Sequence, residues 1–241
     1  MARARPPGRP PKARHLDTLL ANLKEVKRLL EIHTQISGQT VGARHNVEVL
    51  NKSGIVLLVA CWEAYVEDLA SVSFHLLLRR AKQPNDFPGT VLVLASRSLR
   101  ENKDERRVWE LAGEGWKAVL RGHGEQMLKR YVGNFNTPKP RQIDELFASL
   151  IALPKVSKKW SWHKCKPADA RARLNRLVSL RGAIAHRVST PRSVLKRHVV
   201  HATSFVGRLA VATHNAVNKS LGARLGHHPW RDYEYSGQGE Q

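Results

Sequence analysis

Apolar residues recur every three to four positions over long stretches of this chain, the period of an α-helix rather than of a strand. Leu16, Leu19, Leu20, Leu23, Val26 and Leu30 predict a first helix over residues 15–36, ended by Ser37, Gly38 and Gln39. The second predicted helix, residues 47–82, carries two apolar stripes, one through Leu58, Cys61, Tyr65 and Leu69, the other through Ile55, Val59, Trp62 and Val66. A helix with two such stripes is buried on two sides, so it belongs at the centre of a bundle or at a subunit interface. Asp68 falls inside the first stripe, where a lone carboxylate is costly and a partner is expected.

Pro84 and Pro88 break the pattern, and Gly113, Gly115, Gly122 and Gly124 interrupt the helical pieces of residues 91–131. After a loop at 133–140, Ile143, Leu146, Phe147 and Leu150 predict a short helix over 141–153, stopped by Pro154. Residues 155–166, KVSKKWSWHKCK, are basic with two tryptophans. Pro167 opens a helix to about residue 188, since proline is tolerated in a first turn. Pro191 precedes a last helix over 193–221, on whose apolar side His198 and His201 read as core residues. With no strand alternation and no repeat, the expected fold is all-α: an up-and-down bundle of four to five main helices over residues 15–221. A Pro/Arg-rich arm (1–14), expected to be disordered, precedes it, and a polar tail (222–241) follows.

Charge changes the picture. Lys and Arg number 41 and Asp and Glu 20, a formal net charge of +21. A field of that sign gathers polyanions, nucleic acid first and an anionic membrane surface second. No apolar run reaches the roughly 20 residues a bilayer span needs, so the protein is expected to be soluble, with nucleic acid and no membrane as its partner. The basic start is not followed by an apolar stretch, and two cysteines, Cys61 and Cys165, make no disulfide framework. A reducing cytoplasm is the expected compartment.

The chemistry concentrates on the helix that Pro167 opens. Leu174, Leu177, Val178 and Ile184 share one face, and position 181 lies on it at helical spacing, yet it is Arg181. A guanidinium placed there needs a carboxylate partner or a cleft. His186 lies about 140° further round and leans back over Gly182, which leaves room for both side chains to meet one anion. A histidine that titrates near neutrality serves as general base or acid, and an always-charged arginine stabilises charge on phosphorus.

RLVSLRGAIAHRV, residues 176–188, resembles the signature helix of the HEPN superfamily, in which Arg and His stand four to six residues apart. LLVACWEAYVEDL (57–69) resembles the second-helix signature of its RiboL-PSP branch, and NFNTPKPRQIDELF (134–147) the Asn-Pro loop and short helix of that branch. The tryptophan segment ahead of the motif helix is also similar, so the likeness runs over about residues 15–220, in order. It implies a HEPN-like bundle and metal-independent cleavage of RNA, with no cofactor. The ribose 2′-hydroxyl attacks the adjacent phosphate and leaves a 2′,3′-cyclic phosphate. It implies Arg181 and His186 as the catalytic pair and a homodimer that brings two such pairs together. Asp68 or Glu63 is expected to position Arg181: Asp68 by periodicity, Glu63 by the signature. Gly182 stands where many active members carry Asn or another polar residue. Family habit adds a toxin or defence role with an antitoxin or defence partner.

Other readings stand beside this one. Arg181 in a structural ion pair and His186 at a helix end would make a catalytically inactive module that binds RNA or protein. PPGRPPK resembles an AT-hook, which with the basic arm suggests a DNA-associated regulator. Trp160, Trp162, Lys158, Lys159 and Lys164 are candidates to stack on bases and hold phosphates, against packing of the same loop onto the bundle. His163 and Cys165 have no second pair to complete a zinc site, so no metal is expected.

Overall fold

The computed structural model describes residues 10–37, 47–187 and 193–235, and among them the chain is helical, with one isolated bridge between Trp162 and Cys165 in place of any strand. Helix α1 (Arg14–Ser37) buries Leu16, Leu19, Leu23, Val26 and Leu30, the face its periodicity predicts, while Leu20 is exposed. Helix α2 (Glu48–Arg80) is the axis of the bundle: its 33 residues span about 50 Å at 1.5 Å per residue. Cys61 and Ala70 are buried on opposite sides of it, with Trp62, Tyr65, Val66 and Leu69 on the face between, because α1, α5, α6, α7 and α8 all pack on it. The doubly apolar helix is thus central within one chain.

Short helices α3 (Gly89–Ala95) and α4 (Arg97–Arg100) lead through a 3-10 turn to α5 (Gly115–Tyr131). Gly122 and Gly124, expected to interrupt this region, lie inside α5. A Cβ on Gly124 would stand 3.0 Å from Leu78, so this glycine serves close approach to α2 rather than a break. Helix α6 (Pro140–Ile151) ends at Ala152 in the left-handed conformation (φ 51°), two residues before the proline expected to stop it. Helix α7 is Pro167–Arg187 and α8 is Lys196–Leu225. The last helix begins later than predicted because the start of α2 takes up the backbone of Val194: its N–H donates to Glu48 (2.8 Å) and its carbonyl accepts from Asn51 Nδ2 (2.9 Å). The AT-hook-like piece falls largely, and Pro191 wholly, outside the described residues.

The body extends beyond residue 221. Gly222 is inside α8 with the His228 ring against it, and Gly226 (φ 78°) ends the helix instead. Residues 230–233 then return along α8 as a strap. Asn218 exchanges hydrogen bonds with the Trp230 backbone (2.8 and 3.0 Å), Asn215 does the same with Tyr233, and the Tyr233 hydroxyl accepts from Ala13 N–H (3.0 Å). The foot of the arm joins this layer too, since Pro11 O accepts from Arg231 N–H and Ala13 is buried. His198 and His201 are exposed, contrary to expectation; among the described residues the buried histidines are His15, His33 and His214. Among the described residues no helix is long and apolar enough to cross a membrane.

Candidate functional site

The site is assembled on one turn of α2. Trp62 is fully buried and donates from Nε1 to the carbonyl of Pro138 at 3.2 Å, which fixes the loop before α6. Trp160 packs edge-on against it, ring centroids 6.4 Å apart at 75°. Asp144 on α6 holds the same segment by accepting from the Ser157 N–H and hydroxyl, both at 2.7 Å. Next to Trp62 on the chain, Glu63 faces α7 and meets Arg181, Oε2 to Nη2 at 3.5 Å. The loop, the tryptophan segment and the Arg-bearing helix therefore meet at residues 62 and 63.

Arg181 is half-buried, its side chain 31% exposed against 16% for Glu63. Leu174, Leu177, Val178 and Ile184 bury the core face of α7, so Arg181 lies at the edge of that face, as the sequence pattern predicts. Burial pushes the Glu63 carboxyl up, and the Arg181 charge only partly draws it back. Glu67 is also raised, first by burial and then by Glu63 and Asp68, which flank it on α2. His186 is exposed near the end of α7. A Cβ added at Gly182 would meet nothing within 4 Å among the described residues, so the helix surface there, between Arg181 and His186, is open.

Two expectations are corrected. Asp68 does not position Arg181: it faces solvent, five residues and about 140° beyond Glu63 on α2. Trp160 is 0% exposed beneath Trp62 and cannot stack on a base. Trp162 is partly buried, its ring 6.0 Å from Phe205, while Lys158, Lys159 and Lys164 are exposed. The sequence reading missed Arg173 and Arg208 and put His201 in the core; the three gather around Trp162 and Lys164 from α7 and α8. Periodicity within one helix carries no signal for a cluster that forms between two. Among the described residues no three His, Cys, Asp or Glu side chains group as metal ligands.

An all-α bundle whose penultimate helix offers Arg181 from a carboxylate and His186 to solvent defines the class. The RiboL-PSP-HEPN family model matches residues 17–219, and the chain belongs to that family. Compared with curated proteins and with solved structures, it matches none.

Proposed function

We propose that this protein is a metal-independent endoribonuclease in which Arg181 and His186 do the chemistry. The observation that carries the reading is the Arg181–Glu63 pair beside open space at Gly182, with His186 at its edge. A histidine takes the proton of a ribose 2′-hydroxyl, the 2′-oxygen attacks phosphorus, and the bond to the 5′-oxygen breaks. A second histidine returns a proton to that leaving oxygen, which yields a 2′,3′-cyclic phosphate and a 5′-hydroxyl. A homodimer supplies the second His186. Arg181 stabilises the charge that builds on the phosphoryl oxygens. Glu63 acts as a positioning residue, holding the guanidinium out of the core without a hydrogen bond short enough to fix it. A toxin or defence role in the cytoplasm, with a dedicated partner, completes the proposal.

The test is cleavage of a 3′-labelled RNA in excess EDTA with analysis of the new ends. Cyclic-phosphate and 5′-hydroxyl ends support the reading; 3′-hydroxyl and 5′-phosphate ends refute it. A binding module without catalysis is the second reading, favoured by Gly182 in place of a polar residue. Stable binding of RNA by dimers that never cut it, with every added partner, selects that reading.

A further inference from the structure

A second cluster lies apart from the Arg181–Glu63 pair, in the groove between α7 and α8. The turn that carries Lys164 in the left-handed conformation (φ 58°) closes one side of it. Trp162, His163, Lys164, Arg173, His201 and Arg208 are among the residues enclosing a cavity of about 360 Å³. That volume falls at the lower end of the range for small-ligand sites. Three Lys or Arg side chains and two imidazoles converge there, and no carboxylate is among the described residues that line it. Such charged donors suit an anion, and a phosphate in particular. Aromatic faces set the direction of two of the cations: the Arg173 guanidinium lies over the Phe205 ring at 4.7 Å, and that of Arg208 over Tyr235 at 5.2 Å. The half-exposed Trp162 indole supplies a flat apolar wall beside them. A phosphate next to a flat aromatic group matches this lining, and a nucleotide has both.

We propose that this pocket is a nucleotide subsite, where a base of single-stranded RNA lies against Trp162 and the adjoining phosphate is held by Lys164, Arg173 and Arg208. Arg173 and Arg181 are eight residues apart on α7, a rise of about 12 Å, so one strand of a few nucleotides reaches both. The subsite rests on the ribonuclease reading for the identity of the strand, and its test is made with cleavage disabled.

The full-length His186→Ala protein is titrated with a fluorescein-labelled 12-nucleotide single-stranded RNA at several salt concentrations. To it are added Lys164→Asn (Asn tolerates the left-handed backbone), Arg173→Gln and Arg208→Gln. A control removes the same charge from exposed α1 positions with Lys24→Gln, Lys27→Gln and Arg28→Gln. Circular dichroism checks that each variant is folded. The pocket variant is expected to bind at least 30-fold more weakly and to lower the slope of log K against log salt by about 0.7, the amount for the one phosphate no longer neutralised. The control is expected to weaken binding less than threefold. Trp162→Ala is expected to weaken it about tenfold with no change in slope, the signature of missing base stacking. Equal weakening by the pocket and control variants would mean diffuse attraction only and overturn the proposal. So would binding of adenosine 5′-monophosphate that vanishes in the pocket variant while the 12-nucleotide strand binds it undiminished. If the pocket variant loses RNA and wild type still cuts none, the subsite stands and the ribonuclease reading falls.

Discussion

Acid should loosen this fold through a buried imidazole pair, and His15→Gln should remove much of that sensitivity. His15 Nε2 lies 3.0 Å from His214 Nδ1, and His214 Nε2 lies 3.0 Å from the carbonyl of Arg231. The carbonyl can only accept, so His214 donates to it from Nε2, and its Nδ1 in turn accepts from His15. Protonating His214 Nδ1 would set two N–H groups against each other. Burial, and secondarily His214, pushes His15 from 6.5 down to about 3, and burial lowers His214 as well. A group with a depressed folded value gives stability that is complete above the unfolded value and lost as pH falls toward the folded one. At pH 5 the loss from His15 alone is on the order of 2 kcal/mol. With a urea slope of about 2 kcal/mol/M, that moves the midpoint by roughly 1 M. Glu63 and Glu67, raised by burial, act in the opposite sense and gain stability as pH falls. The comparison must therefore be between proteins: urea midpoints of wild type and His15→Gln at pH 7.5 and 5.0, where the carboxylates cancel. The glutamine amide keeps a donor toward His214, so the variant should lose about 2 kcal/mol less than wild type between the two values. Equal losses in both proteins would refute the assignment.

Three further outcomes are expected. A double-mutant cycle over Glu63→Ala and Arg181→Ala should give a coupling of about 1–2 kcal/mol in chemical unfolding, between exposed and buried pairs; zero coupling would mean that the two do not interact in solution. Gly182→Asn should leave the melting temperature unchanged or raise it, because the position is open and Gly is the poorer helix former, and it should speed RNA cleavage; a drop of many degrees would show the site to be closed. Asn218→Ala should cost about 3 kcal/mol by stranding the buried Trp230 backbone groups, and should make trypsin cut at Arg231; unchanged resistance to trypsin would show the strap to be held elsewhere.

Helices α1, α2, α6 and α7 are legible in the sequence because each buries a face whose residues follow the helical period, and the two stripes of α2 announce its central place. Helix α7, the bearer of the candidate site, is legible for the opposite reason: Arg181 breaks an apolar face. What stays hidden depends on how segments meet. Glu63 and Asp68 are both on α2, and only the crossing of α2 with α7 decides which meets Arg181. Trp160 and Trp162 are two residues apart in a basic run, and only the position of Trp62 decides that the first is buried and the second half-open. The strap over α8 looks like a tail in the sequence because it meets the α8 side chains largely through its backbone. Its signal is on the other partner, the His214, Asn215 and Asn218 side chains of α8.

The central claim is that Arg181 and His186 cut RNA without a metal. Single-turnover cleavage of labelled total RNA in EDTA, by wild type, Arg181→Ala and His186→Ala at equal RNA occupancy, tests it most directly. The account predicts cutting by wild type and a loss of at least a hundredfold in both variants, with RNA binding retained. Cutting that persists in both variants, or that disappears from wild type when EDTA is added, would contradict it.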